Sequence, residues 1–127
     1  MAHSDGDALS HAIVDALLGA AGFGDIGRHF PDTDPRWKGA SSRIFLEEIG
    51  RLLAASGLRI VNIDSVIVLD EPKLAPHITA MSENIAAALG IQPSQVSVKA
   101  KTSEGTAPAI AAAHAVALLA STNSSRD

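Results

Sequence analysis

The amino-acid sequence predicts an α+β fold of two layers, in which a mixed β-sheet carries three helices on one face. Three observations lead to this prediction. Three segments repeat apolar residues at helical spacing, and two others have the β-branched residues and alternation of strands. No Pro- or Gly-rich linker divides the 127 residues. We therefore expect residues 1–127 to form a single domain.

The composition excludes several classes of protein and site. The chain has no Cys, which rules out disulfides and thiolate metal sites. Its formal net charge of −4 argues against a nucleic-acid-binding surface. Residues 1–5 lack the features of a signal peptide, and the longest apolar run, 107–120, is too short to span a bilayer. We therefore expect a cytoplasmic protein.

The first half of the chain predicts two helices and a loop. The first helix runs from about Ala8 to Ala21 and ends at Gly22, because Gly readily adopts the left-handed conformation that closes a last turn. Residues 25–39 contain two Pro, three Asp and one Thr, which predicts a loop. The second helix runs from about Ser42 to Ser56. Its expected buried face is Phe45, Ile49, Leu52 and Leu53.

The second half predicts two strands, a helix and one ambiguous segment. Residues 58–69 are rich in Ile and Val, and residues 96–101 alternate apolar and polar side chains, so both are predicted strands. Between them, a helix follows Pro76 and ends at Leu89. Residues 109–120 stay ambiguous, because their alanines favour a helix whereas a strand would need tertiary contacts to override that propensity.

One glycine motif has two readings. Residues 22–27 match the pattern G-x-G-x-x-G, which binds dinucleotides when it follows a strand and precedes a helix. Here the motif follows a predicted helix and leads into a Pro-rich loop. We therefore interpret these glycines as a helix cap and a turn.

Three polar stretches are candidate sites for chemistry. His11 lies one helical turn after Asp7, but a single His cannot hold zinc, which takes about three protein ligands in catalytic sites. The Asp residues of the loop at 25–39 could contact hydroxyls or a cation, or could simply stabilise turns. Residues 102–104, at the end of a predicted strand, could offer hydroxyls and a carboxylate to a phosphate–metal complex.

Five strings in combination resemble the 2-C-methyl-D-erythritol 2,4-cyclodiphosphate synthase family of the non-mevalonate isoprenoid pathway. They are AHSDGD with a His four residues beyond its last Asp, DALLGAAGFGDIG, FPDTDP, EPKLAPHI and VKAKTSEG. The similarity runs without a gap from Ala2 to about Glu104. The closing segment AVALL resembles the family's last strand, which favours a strand for residues 109–120.

The resemblance implies a phosphorus–oxygen lyase. In this family, the 2-phosphate of 4-diphosphocytidyl-2-C-methyl-D-erythritol 2-phosphate attacks the β-phosphorus and expels CMP, which yields the cyclodiphosphate. The resemblance also implies Zn²⁺ and a second divalent ion, Mg²⁺ or Mn²⁺, as cofactors. It further implies a homotrimer whose sheets face the threefold axis and whose sites lie between subunits.

The resemblance assigns roles to individual residues. The catalytic residues are His3 and Thr102, and the metal ligands are His11 for zinc and Glu104 for the second ion. The substrate-binding residues are Ser4, Asp25, Ile26, Gly27, Phe30, Pro31, Asp32, Thr33, Asp34, Leu69, Asp70, Glu71, Pro72, Lys73, Leu74, Ala75, Lys101 and Ser103.

The chain departs from the family in two places. The family's first strand, with the Asp-x-His that supplies the other zinc ligands, has no counterpart in these residues, so His11 would be a single ligand and the zinc site incomplete. After Glu104, a phosphate-binding Gly-Arg-Gly turn is also absent. The sequence therefore leaves an alternative open: a catalytically impaired member or fragment that acts as a cytidine-nucleotide-binding or assembly module.

Overall fold

The computed structural model describes residues 2–31, 34, 41–70, 73–106 and 111–122, with the backbone alone for residues 2–5. Within these residues the chain forms helices and strands in a mixed order. They are α1 (Ala2–Ala21), α2 (Ile26–His29), α3 (Ser42–Ala55), β1 (Leu58–Val68), α4 (Ile78–Leu89), β2 (Val96–Lys101) and β3 (Ala112–Ser121). Short 3₁₀ turns at Ala75–His77 and Pro93–Gln95 precede α4 and β2.

Strand β1 is the centre of a three-stranded mixed sheet. It pairs in parallel with β2 and antiparallel with β3, so the strand order is β2-β1-β3. Ile63 of β1 lies opposite Val96 on one side and Ala117 on the other. Because directly paired residues point to the same face of a sheet, these three side chains face the helices. Ile63 and Ile67 are fully buried there.

The three long helices cover that face of the sheet. Helix α1 packs on β3 and β1, α3 contacts both α1 and α4, and α4 packs on β2. The largest fully buried side chains come from both layers. They are Leu9, Ile13, Val14, Leu17, Leu18, Ile49, Leu53, Ile63 and Ile67. The prediction of an α+β fold with helices on one face of a mixed sheet is confirmed.

The ambiguous last segment is a strand. Residues of β3 pair with β1 along most of its length, from Leu58 opposite Ser121 to Val68 opposite Ala112. The ladder satisfies the backbone donors and acceptors that β1 and β3 turn toward each other, and Ala113, Ala115, Ala117 and Leu119 pack against the core. Tertiary pairing thus overrides the helical propensity of the alanines.

Three local predictions need correction. Helix α1 begins at Ala2 and not near Ala8, because the opening acidic residues suit the positive end of the helix dipole although they show no apolar period. The predicted loop at 25–39 contains the one-turn helix α2, which Asp25 caps. In α3 the buried residues are Leu46, Ile49 and Leu53, whereas Phe45 and Leu52 are only partly buried.

No helix in the ranges described above is both long and apolar enough to cross a membrane.

The side chain of Gln95 binds the backbone of β1 where the sheet register is irregular, and its replacement provides a test of the fold. The β1–β3 register shifts between Ile60 and Asn62, and the Gln95 side chain donates to the carbonyl oxygens of Ile60 (2.8 Å) and Val61 (3.2 Å). We expect Gln95→Ala to lower the free energy of unfolding by about 1–2 kcal/mol, because it leaves part-buried carbonyls without this donor. Urea denaturation of this variant beside Ser94→Ala, an exposed neighbour, measures the difference. Equal midpoints for the two variants would contradict the expectation.

Candidate functional site

The ends of β1 and β2 bring two predicted site segments together. Because the two strands are parallel, their carboxyl ends lie at the same edge of the sheet, and Val68 is paired with Lys101. The backbone N–H of Leu69 extends this ladder by donating to the carbonyl oxygen of Lys101 at 2.9 Å. Residues 69–70 and 101–104, which the resemblance assigned to one site, are therefore neighbours.

Asp70 connects the two segments through its side chain. One carboxylate oxygen accepts the backbone N–H of Ser103 at 2.6 Å, and the other accepts the Ser103 hydroxyl at 2.7 Å. Both bonds lower the pKa of Asp70, and the bond from the hydroxyl has the larger effect. The backbone N–H of Gly105 lowers it further. A pKa lowered in the folded state stabilises the fold above the ordinary carboxyl range, and this contribution is lost as the pH falls through the lowered pKa. The contact is therefore intact at neutral pH.

Residues 103–106 form a tight turn beyond this contact. The backbone N–H and the hydroxyl of Thr106 both donate to the carbonyl oxygen of Ser103, at 3.2 and 2.7 Å. The two central residues have positive φ angles, 58° at Glu104 and 83° at Gly105. Gly tolerates this conformation at no steric cost, whereas at Glu104 it is strained. The turn leaves the side chains of Thr102 and Glu104 exposed, and the Thr102 hydroxyl accepts the N–H of Glu104 at 3.2 Å.

The predicted nucleotide segment is described from Lys73 onward, since Glu71 and Pro72 lie outside the described residues. Lys73 is exposed, but the side chain of Leu74 is buried in the core. The carbonyl oxygen of Leu74 accepts the N–H of His77 at 2.8 Å, which fixes the start of the 3₁₀ turn. Leu74 can therefore offer a ligand little besides backbone, while Lys73 can offer its ammonium group.

His11 belongs to a second group of residues on the helical layer. Its imidazole is exposed on α1 and meets the ring of Phe45 edge-on, with centroids 5.9 Å apart. Phe45 in turn packs edge-on against the buried Phe30 at 5.1 Å. The ring of Phe30, assigned to substrate binding by resemblance, is thus part of the core. The sequence predicted Phe45 only as a core residue of α3 and missed its contact with His11.

The first carboxylate of the loop at 25–39, that of Asp25, stabilises the local backbone. Asp25 caps α2 by accepting the backbone N–H of Arg28 at 3.0 Å, and its side chain is exposed. Ile26 and Gly27 lie within α2, and the N–H of Asp34 donates to the carbonyl oxygen of Pro31 at 3.0 Å. Asp32 and Thr33 fall outside the described residues. The sequence left open whether the Asp residues of this loop contact a ligand or stabilise the local backbone, and the Asp25 bond is of the second kind.

The opening residues and the glycine motif complete the set of predicted positions. His3 and Ser4 lie in the first turn of α1, where the structure describes their backbone only. Gly22 and Gly24 follow the end of α1 with φ angles of 75° and 96°. The motif therefore ends a helix and forms a turn, so the helix-cap interpretation is confirmed and the dinucleotide interpretation is wrong.

The two predicted metal ligands differ in how well they fit a cation. Nowhere in the described part of the chain do three His, Asp or Glu side chains gather around a possible metal position. His11 alone does not fit zinc, which requires several protein ligands. Glu104 does fit Mg²⁺ or Mn²⁺, because such ions can bind one carboxylate and complete their shell with phosphate oxygens and water.

A cavity of about 410 Å³ lies between residues 6–10 of α1, the start of α3 and the middle of α4. Its polar lining includes Asp7, which accepts the hydroxyl of Ser42 at 2.8 Å, and the side chain of Asn84. Asp7 is the candidate that the sequence pairs with His11, whereas none of the residues assigned by resemblance, among those with described side chains, lines the cavity.

Comparisons with known proteins identify relatives over most of the chain. Residues 1–120 match the model of the YgbB family. The 2-C-methyl-D-erythritol 2,4-cyclodiphosphate synthase of Pelotomaculum thermopropionicum is 61% identical over 105 residues, which are 83% of this chain and 65% of that protein. The protein of the same name from Thioalkalivibrio sulfidiphilus is 55% identical over 125 residues, 94% of this chain and 78% of that protein.

A solved structure of such a synthase, in a form with CDP bound, superposes with a TM-score of 0.85 at 48% identity. The match covers 94% of this chain and 80% of that one. The chain spans just under two thirds of the length of the first relative named above.

Proposed function

Since the chain belongs to the YgbB family, we propose that it acts in the cyclisation of 4-diphosphocytidyl-2-C-methyl-D-erythritol 2-phosphate to the 2,4-cyclodiphosphate, with release of CMP. One structural observation carries the proposal. The parallel ends of β1 and β2 put Leu69 and Asp70 beside the turn that holds Thr102 and Glu104, which supports a nucleotide site starting at these two residues. A nucleotide bound by the first segment would extend its diphosphate toward the second.

The reaction needs no protein nucleophile. An oxygen of the 2-phosphate forms a bond to the β-phosphorus, and the bond from that phosphorus to the oxygen bridging the α-phosphate breaks. CMP leaves with the electron pair, and the β-phosphoryl group becomes part of an eight-membered ring. The protein's contribution is to hold two anionic groups of one molecule in line and to stabilise their charge.

The site residues divide this work. We propose that backbone groups of residues 69–75 bind the cytidine while the exposed Lys73 contacts its phosphate. Ser4 and Lys101 would contact the phosphates, and the loop from Asp25 to Asp34 would surround the methylerythritol. Ser103 would act at the same site through Asp70, to which its N–H and its hydroxyl both donate, and not by a direct phosphate contact. His3 and Thr102 would donate hydrogen bonds to the oxygens that gain charge in the transition state. Glu104 would hold a divalent cation that neutralises the diphosphate when bound.

We also propose that the protein assembles as a homotrimer through the outer face of the sheet, each copy contributing one domain. Val116 and Leu118 of β3 point away from the helices and are 73% and 57% exposed. Large apolar side chains this exposed on a sheet are typical of an interface between protein chains. Close by, Asp64 and Lys99 form an ion pair of 2.8 Å on the same face.

The direct test is an assay of CMP release from the diphosphocytidyl substrate with Mg²⁺ and Zn²⁺ present. We expect CMP and cyclodiphosphate in equal amounts. Binding of CMP without its release from the substrate would reject the lyase and support the nucleotide-binding alternative. A chain that neither binds nor releases CMP would reject both functions.

Lys73 provides a test of the nucleotide segment alone. We expect Lys73→Ala to weaken CMP binding by about tenfold, because it removes a cation close to the nucleotide phosphate. Calorimetry measures the affinity. The matched control is Arg51→Ala on α3, whose guanidinium is exposed and pairs with Glu48. An affinity equal to that of the control would remove residues 69–75 from the proposed site.

A further inference from the structure

The carboxylate of Asp70 accepts hydrogen bonds from another residue of the same chain. Its two oxygens accept the backbone N–H and the hydroxyl of one residue, Ser103, at 2.6 and 2.7 Å. The side chain is half-buried at the edge where β1 and β2 end. A carboxylate bound twice by the neighbouring turn is oriented toward that turn, which is a different role from binding a nucleotide directly.

The turn that Asp70 holds contains a strained residue. Glu104 has a φ of 58°, a conformation that a residue with a side chain adopts only where its surroundings fix it. Those surroundings act on Ser103 from two sides. Asp70 binds its N–H and hydroxyl, and Thr106 binds its carbonyl oxygen. Without the two bonds to Asp70, only the bonds from Thr106 to the Ser103 carbonyl oxygen would hold the turn. We expect these alone to leave the direction of the Glu104 side chain less restricted.

We infer that Asp70 is a positioning residue: by binding Ser103 it fixes the direction in which Thr102 and Glu104 face the diphosphate of the substrate. The inference rests on the proposed function, because it assigns Asp70 a role at that same site. It changes the role given to Asp70, from a contact of the cytidine to a support of the phosphate-binding turn. The cytidine would then be bound without the Asp70 side chain.

Two ligands separate these roles. CMP without a divalent ion reports on the cytidine segment, whereas CDP with Mg²⁺ also requires the direction of Glu104. We expect Asp70→Ala to weaken the binding of Mg²⁺–CDP about tenfold or more, while CMP affinity stays within about twofold of the unmodified chain. Asp70→Asn keeps the shape and one acceptor for the Ser103 N–H, so it should restore Mg²⁺–CDP affinity to within about threefold. The control is Glu47→Gln, an exposed carboxylate on α3.

Calorimetry on the full chain decides between the outcomes. If Asp70→Ala lowers CMP and Mg²⁺–CDP affinity equally, Asp70 belongs to the cytidine pocket and the inference is wrong. Unchanged affinity for both ligands also overturns it. If the unmodified chain binds neither CMP nor CDP, the proposed function itself fails, and the inference fails with it.

Two further measurements complete the test, and the first of them does not depend on how well Asp70→Ala folds. Ser103→Ala removes the hydroxyl contact and keeps the N–H contact, so we expect a smaller loss of Mg²⁺–CDP affinity, about threefold. In the chain without nucleotide, the Ser103 amide should exchange its hydrogen faster in Asp70→Ala than in Glu47→Gln, because its acceptor is gone. Unchanged exchange together with unchanged affinity in Ser103→Ala would reject the positioning role.

Discussion

Replacing Glu104 by Gln should lower the rate of CMP release by about 100-fold or more at saturating Mg²⁺. Gln preserves the size and shape of the side chain but removes the charge that favours binding of a hard divalent cation. The negative charge on the two reacting phosphates would then repel without compensation. The rate should also become nearly independent of Mg²⁺ concentration, which the same assay measures in a titration.

The unusual backbone at this position calls for a second variant. Glu104 has a positive φ, and the Glu104→Gln variant would have the same strain because its side chain keeps the Cβ atom. Glu104→Gly removes the strain together with the carboxylate, so we expect it to be as slow as Glu104→Gln. A rate close to that of the unmodified chain in either variant would show that the carboxylate holds no required ion. Glu47→Gln, which changes an exposed carboxylate on α3, should be unaffected.

The elements with a clear hydrophobic period were predictable from the sequence. Helices α3 and α4 and strands β1 and β2 all repeat apolar residues at the spacing of their own structure, and each lies within one or two residues of its expected bounds. Helix α2 was missed because four residues are too few to show a period. Its only local signal is Asp25, which suits a cap and a turn equally well.

Strand β3 shows the limit of local reasoning. Its alanines favour a helix, and the pairing that makes them a strand comes from β1, more than 40 positions earlier in the chain. Resemblance to a family favoured the correct answer where propensity could not. A free chain of this composition has no local reason to choose the strand.

The candidate site was predictable as a set of residues but not as an arrangement. Resemblance assigned Asp70 and Ser103 to one site, yet they are 33 positions apart, and only the parallel register of β1 and β2 puts them in contact. The contact of His11 with Phe45 likewise joins two helices that the sequence predicts separately. Side-chain contacts of this kind depend on tertiary packing, which periodicity within single elements does not encode.

Leu118→Glu should convert the proposed homotrimer into monomers at micromolar concentration. Leu118 is 57% exposed on the outer face of the sheet. A trimer interface on this face would bury three Leu118 side chains, one from each copy. Losing about 1.5 kcal/mol of apolar burial per copy lowers the association constant by roughly 10³-fold. The three carboxylates brought together near one axis would add repulsion. Analytical ultracentrifugation measures the assembly. CMP release should fall with it if the sites lie between copies, as the family resemblance implies and as we propose for this protein.

Ile44 provides the matched control, because it is also a large apolar side chain, 43% exposed, but lies on α3 in the helical layer. Ile44→Glu makes the same kind of change on the opposite side of the sheet, so the trimer and the rate should both persist. A trimer that survives Leu118→Glu would place the interface elsewhere. Disassembly by Ile44→Glu alone would assign it to the helices. If assembly is lost while CMP release continues at the same rate per chain, each site is complete within one copy, and the shared-site part of the proposal is wrong.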